Sequence, residues 1–384
     1  MNGCPYGLSS VVVTFNRYPI LLTAMFRRIF CLLHGAYFDD NLLLDLVCTS
    51  DRSHKLSREW YTQMGTPPKE SKGFPMASHR VFLGAAVTVD ALRSDGYIVV
   101  SPKEATRHQV LSDIEVAVRS EAMSPAEAAK TRGRSGWVGA NSLGRIGRLG
   151  LAVLKDLQYQ PRKRLTSSQI RALMFHATVI HNLPPKLVPI VDKPLGPLVM
   201  YSDAEYTPGY QPRLGWVLFR DPPLAPLGFT WVAPKAFTSQ WKVRKNQIFP
   251  AESAALPVGS WCLKNELRGR DLIWFVDNEA AAAAAIRGST SEPDVAVLVE
   301  VAHLLWLSAQ CRVWIEWIDS KSNPADGLSR AGLSDAWTAM QDWSLSEAAD
   351  PPWPSPPCTA VQICNSLLGT LDTEDELAKW SDTG

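Results

Sequence analysis

The sequence predicts an α/β protein: an α+β N-terminal part, a mostly helical middle, and a C-terminal mixed sheet with flanking helices. Three observations predict it. Residues 1 to about 115 mix apolar strand-like and helical segments, broken at Ser50–Lys55 and Thr66–Gly73. About 116 to 195 reads as helical and ends in a proline-rich connector, Leu183–Pro197. From 198 to about 330, short apolar runs alternate with helix-length segments.

Within that third region, Leu198–Ser202, Leu214–Phe219 and Phe229–Val232 read as three strands separated by Gly/Pro turns, a meander. Pro250 suits the first turn of a helix running towards Leu267, because its missing N–H is unneeded there. Pro257 falls inside that span and predicts a kink or break. Leu272–Val276 is a short, wholly apolar strand of the buried kind. Helices follow over Ala280–Ile286, where the alanine run favours helix, and over Pro293–Ala309. Arg312–Ile318 is a further strand, and a last helix starts near Pro324. From Ala331 the chain is rich in Pro, Ser and acid, which predicts a disordered tail.

A formal net charge of +1 hides an asymmetry. From Ala331 onwards there are nine acidic residues and one lysine, which leaves 38 basic against 29 acidic residues in the body. A basic body suits a polyanionic partner. Seven scattered cysteines, with no Cys-x-x-Cys pair, argue against a disulfide framework and a structural zinc site and fit a reducing, intracellular setting. Asn16, Arg17, Arg27 and Arg28 interrupt the N-terminal apolar runs, so none reaches the roughly 18 residues of a membrane span. No membrane role and no signal peptide are expected.

The chemistry is carried by acids at element boundaries. Asp203 follows the first strand of the third region, and Asp277 follows its buried strand. If those strands run parallel side by side, both carboxylates emerge at one edge, where α/β sheets place their ligands. Glu252 would sit in the first turn of the intervening helix and Asp326 in that of the last. An Asp after a strand is commonly just a turn or cap residue; four acids in order, each at a suitable boundary, favour more than that. Converging carboxylates need cations, and oxygen-only ligands select Mg²⁺ or Mn²⁺ over Zn²⁺. Two such ions about 3.5–4 Å apart clamp a phosphodiester for hydrolysis.

Tyr201-Ser202-Asp203-Ala204, Phe249–Ala255, Phe275–Ala281 and Ser322–Arg330 (Ser-Asn-Pro-Ala-Asp-Gly-Leu-Ser-Arg) resemble the ribonuclease H domains of retroelement polymerases, the last phrase most specifically. The resemblance implies a ribonuclease H-like mixed sheet and a metal-binding, catalytic set of Asp203, Glu252, Asp277 and Asp326. It also implies two Mg²⁺ or Mn²⁺ ions and cleavage of the RNA strand of an RNA–DNA hybrid. Cellular relatives often carry a histidine in the loop before the last Asp; here that loop is Asp319–Asn323 and has none.

Upstream, Pro5–Ser10, then Tyr37-Phe38-Asp39-Asp40, then Val81-Phe82-Leu83-Gly84 resemble the second half of a reverse-transcriptase palm. They match its template-gripping segment, its Tyr-x-Asp-Asp hairpin and its Phe-Leu-Gly strand, and the arrangement is most similar to LTR/DIRS-type retrotransposons. The resemblance implies a truncated palm over 1–115, a helical thumb or connection over 116–195, the ribonuclease H-like domain over 196–330 and the acidic tail over 331–384. Such polymerases need another metal-binding Asp on an earlier palm strand. Asp39 and Asp40 form at most a vestigial metal site without it, and no polymerisation is expected.

Lys242, Arg244 and Lys245 are placed to touch a hybrid near the metals. Arg145, Arg148, Arg162, Lys163 and Arg164 suit phosphate contacts or, equally, a solvated face. His176 and His181, five residues apart, are misplaced for a helical metal pair and point to packing or surface exposure. Trp216, Trp231, Trp274, Trp314 and Trp317 fall in strands and suit a core. Two other functional readings stay open: a catalytically decayed remnant that only binds nucleic acid, and an integrase or transposase sharing the sheet and acids. Tyr37–Asp40 and Asn323–Asp326 argue against the second.

Overall fold

The computed structural model describes residues 9–69, 71, 73–140, 148–160, 163–190, 196–239 and 241–351. The chain divides into two compact units, Met1–Val99 and Val100–Gly384. Residue 115, near which the sequence suggests a boundary, lies inside the helix Glu104–Arg119.

The first unit contains α1 (Ser9–Ile29), β1 (Leu33–Tyr37), β2 (Asp40–Leu44), α2 (Ser50–Gln63), β3 (His79–Phe82), β4 (Ala85–Thr88) and α3 (Leu92–Asp95). Arg27 and Arg28 close α1, where cations complement the helix dipole. Leu22 and Phe26 of α1 bury against Leu43, Leu56, Trp60 and Tyr61. β1 and β2 form an antiparallel hairpin in which Tyr37 pairs with Asp40, so Phe38 and Asp39 make the turn, Phe38 at a φ of 53°. A second hairpin joins β3 to β4 through Leu83 (φ 50°) and Gly84 (φ 77°), the paired positive φ values of a primed turn. Buried His34 bridges Thr23 Oγ1 (3.0 Å) and the Tyr61 hydroxyl (2.8 Å). Burial, then the Arg27 charge, push its pKa down to about 4.

β5 (Tyr97–Pro102) leads from the first unit into the second. Four helices follow: α4 (Glu104–Arg119), α5 (Pro125–Ala140), α6 (Arg148–Tyr159) and α7 (Ser167–His181), then β6 (Lys186–Pro189). They enclose Val110, Ile114, Leu154, Leu157, Leu173 and Phe175, joined by Leu304 and Leu307 from further along the chain. Reciprocal caps start two of them: Ser124 with Glu127 ahead of α5, and Thr166 with Gln169 ahead of α7. His176 is buried beside Gly150, where any added Cβ would strike its ring, whereas His181 is exposed at the end of α7.

The mixed sheet comprises β7 (Leu198–Glu205), β8 (Arg213–Phe219), β9 (Leu227–Val232), β10 (Asp271–Val276), β11 (Arg312–Trp317) and β12 (Ser344–Glu347), in the order β11-β10-β7-β8-β9-β12. β7, β8 and β9 form the antiparallel meander, while β10 runs parallel to both β7 and β11. Around it lie α8 (Lys235–Thr238), α9 (Ile248–Cys262), α10 (Lys264–Leu267), α11 (Glu279–Arg287), α12 (Pro293–Ser308), α13 (Asp326–Arg330) and α14 (Ala336–Ala339). Among the described residues, no helix is long and apolar enough to cross a membrane.

The main core joins one sheet face to α9 and α12 through Met200, Trp216, Trp274, Leu256, Ala302 and Trp306. Each of the three indoles finds an acceptor: Ala255 O for Trp216, Ser202 Oγ for Trp274 and Ser260 Oγ for Trp306. α9 runs through Pro257 without the break that was one of the two expectations there, because Pro250 to Ser260 are all buried and packing outweighs one lost helical hydrogen bond. Trp216, Trp231 and Trp274 are core residues, but Trp314 (66% exposed) and Trp317 (47%) are not, since β11 is the sheet's last strand. The opposite face buries Val217, Ala325 and Leu328 against Phe219, Trp343 and Leu345.

Residues 331–351 depart from the expected disorder. β12 pairs in parallel with β9, and Leu345 fills the space above Gly228. Trp231 donates its indole N–H to Asp350 at 2.7 Å. The alternation Trp343-Ser344-Leu345-Ser346 is a strand pattern that the acidic, proline-rich composition of the segment hides. Residues 352–384 lie outside the described residues.

Candidate metal centre

Asp203 and Asp277 are brought together by register. β7 and β10 are parallel neighbours with Ser202 opposite Val276, so the next residue of each chain is the acid. Asp203 lies within β7, which is longer than its apolar run, and faces Gly215 of β8; Asp277 follows β10 directly. Glu252 is the fifth residue of α9 and 3% exposed, two residues further into the helix than a start at Pro250 would place it.

One carboxylate oxygen from each of Asp203, Glu252 and Asp277 lies within 4.8 Å of the other two. Burial, then the charges of Asp203 and Asp277, push the Glu252 pKa well above its usual value, against a hydrogen bond from the Ala204 backbone. Asp203 is raised to about 7, first by burial and then by Asp277 and Asp326, while a hydrogen bond from Ser329 opposes the rise. Asp326 lines the same cleft of about 250 Å³ from its rim, with Oδ1 held 2.7 Å from Arg330. Three acids therefore form the tight cluster and the fourth stands beside it.

The donor set fits a hard divalent cation. Glu252 Oε2 and Asp277 Oδ1 are buried and have no hydrogen-bond partner among the described residues. Unpaired carboxylate oxygens this deep are costly unless protons or cations neutralise them, and every candidate donor is oxygen.

Helix α13 is pinned onto the sheet by the phrase that ends in Arg330. Asn323 Nδ2 donates to Ser202 O at 2.9 Å, while its Oδ1 accepts from Ala325 N at 3.1 Å. Thr230 Oγ1 donates to Leu328 O at 2.8 Å, and Arg213 to Arg330 O at 3.2 Å. Gly215 makes the approach possible: a Cβ there would meet Ser329 N at 2.6 Å. Asn323, Ser329, Arg330 and Gly215 received no role from the sequence. Their signal was the Asn three residues before Asp326 and the Ser three after it, one helical turn to either side.

No protein-family model matches the sequence, and no curated protein matches it. Solved structures similar to this chain include two ribonuclease H proteins. RNase H1 from the halophilic archaeon Halobacterium salinarum NRC-1 is 21% identical over 37% of this chain and 100% of its own, with a TM-score of 0.28. The N-terminal RNase H domain of a Mycobacterium tuberculosis protein, fused to maltose-binding protein, is 18% identical over 37% of this chain and 96% of its own, with a TM-score of 0.27.

The remaining sequence candidates are dispersed. Asp39 and Asp40 are exposed at the β1–β2 turn and belong to no cluster of three ligands among the described residues. Arg244 is ion-paired within the protein: it binds Asp294 with both terminal nitrogens at 2.6 Å and Glu292 at 2.7 Å, clamping the start of α12. Lys242 reaches Glu292 at 3.3 Å, whereas Lys245 and Arg148 are exposed. Arg145 and Arg162 lie outside the described residues.

Proposed function

We propose that this chain is a divalent-metal-dependent nuclease of the ribonuclease H type, cutting the RNA strand of RNA–DNA hybrids within a retroelement polymerase. The observation that carries the reading is the buried cluster of Asp203, Glu252 and Asp277, with oxygens within 4.8 Å and two of them unpartnered. That Asp326 lines the same cleft supports the four-acid set that the motifs imply. Asp203, Glu252 and Asp277 would hold Mg²⁺ or Mn²⁺, with Asp326 at the rim. Bound there, two such ions would supply an activated water and a counter-charge for the leaving oxygen. The protein's own part is to keep the four carboxylates converged and partly desolvated, and to balance Asp326 with Arg330. The retroelement reading is supported by the Ser322–Arg330 phrase and by a hairpin whose turn is Tyr37-Phe38-Asp39-Asp40.

The test is cleavage of a labelled RNA–DNA hybrid with Mg²⁺ or Mn²⁺ by the full chain and by Asp277→Asn. Metal-dependent cutting of the RNA strand, lost in the variant, is expected. No cutting by a folded wild-type protein would refute the nuclease and leave a nucleic-acid-binding remnant.

A further inference from the structure

Ser329 is fully buried, three residues beyond Asp326 on α13, and its hydroxyl donates to Asp203 Oδ2 on β7. The same oxygen lies 2.9 Å from the Asp326 backbone carbonyl. A hydroxyl has one proton, and an ionised carboxylate is the stronger acceptor. One side chain therefore ties the strand carrying Asp203 to the turn carrying Asp326. The contact exists only because Gly215, the register partner of Asp203, has no Cβ and lets the α13 backbone rest on the sheet.

Accepting that hydrogen bond holds the Asp203 carboxylate in one orientation, while its two oxygens keep further lone pairs for a ligand. A carboxylate free to rotate could instead turn away from two neighbouring acids that repel it. We propose that Ser329 is a positioning residue for the acidic cluster, fixing the Asp203 carboxylate so that the site binds divalent cations tightly. The inference rests on the metal-dependent nuclease reading above. It differs from a packing role, because what matters is the hydroxyl rather than the volume it fills.

Both can be separated by measuring Mn²⁺ binding to the full chain by electron paramagnetic resonance, beside thermal melting and hybrid cleavage. The proteins are wild type, Asp277→Asn, Ser329→Ala and Ser329→Cys. Cysteine matches the volume of serine but is a weak hydrogen-bond donor. Loss of a group that orients a metal ligand typically costs about 10–100-fold in metal affinity. Expected is a loss of that size in both Ser329 variants, with cleavage recovering as Mn²⁺ is raised and melting of the Cys variant unchanged. Where alanine loosens the fold, the Cys variant decides. Wild-type affinity in Ser329→Cys would overturn the proposal while leaving the nuclease reading intact, provided Asp277→Asn loses Mn²⁺. A wild-type protein that binds no Mn²⁺, or an Asp277→Asn variant that binds it unchanged, would sink that reading and this inference with it.

Discussion

Replacing Gly215 by alanine tests whether α13 must touch the sheet for the acidic cluster to exist. The added Cβ would lie 2.6 Å from Ser329 N, 2.7 Å from Leu328 Cβ and 2.8 Å from Ala325 O, whereas ordinary contact begins at 3.4 Å. None of these atoms is the end of a flexible side chain. β8 is paired on both sides, to β7 and β9, so the strand has little freedom to retreat. The helix must give way instead, by about 0.8 Å, the difference between 3.4 and 2.6 Å. Overpacking of this kind costs about 1–3 kcal/mol. In a unit of this size each kcal/mol lowers the melting temperature by roughly 2–4 °C. The displaced helix carries Asp326 and Ser329, and a misplacement near 1 Å costs a reaction about 100-fold. The assay is thermal melting beside hybrid cleavage across a Mn²⁺ series. Wild-type melting and a wild-type cleavage rate together would refute the reasoning.

Gly133→Ala is the matched contrast: exposed within α5, it has nothing within 4 Å of an added Cβ. It should stabilise the protein by about 0.5–1 kcal/mol through the helix propensity of alanine, read as a raised denaturant midpoint; a lowered midpoint would contradict this. Glu300 of α12 is 3% exposed, with neither carboxylate oxygen hydrogen-bonded among the described residues, and burial pushes its pKa up to about 8. The unfolded chain releases this proton near 4.5 and the folded chain only near 8, so stability should fall as pH rises between those values and then level off. The full effect is on the order of 3–5 kcal/mol. Glu300→Gln should therefore flatten the stability profile over that window, and identical profiles for both proteins would show that Glu300 ionises freely.

The sequence by itself determined the order and type of the elements from 198 to 330. Apolar alternation and helix-starting prolines are set within a few residues, so β8, β10, α12 and β11 begin and end close to where the pattern put them. It also singled out Asp203, Glu252, Asp277 and Asp326, because acids after apolar strands and in the first turns of helices stand out locally, and the structure lines one cleft with all four. Tertiary structure decided what depends on distant partners. Arg244 reads as a phosphate ligand in the sequence, and nothing local shows that Asp294, 50 residues on, binds it. Trp314 and Trp317 read as core because nothing in β11 reveals that it is the last strand. Trp343 and Leu345 lay hidden in an acidic stretch until β9 gave them an edge to pair with. The bond from Ser329 to Asp203 spans 126 residues and needs a missing side chain at Gly215. Strand neighbours, ion-pair partners and close backbone approaches are set by which surfaces meet when the core forms, and a linear pattern of hydrophobicity does not encode that.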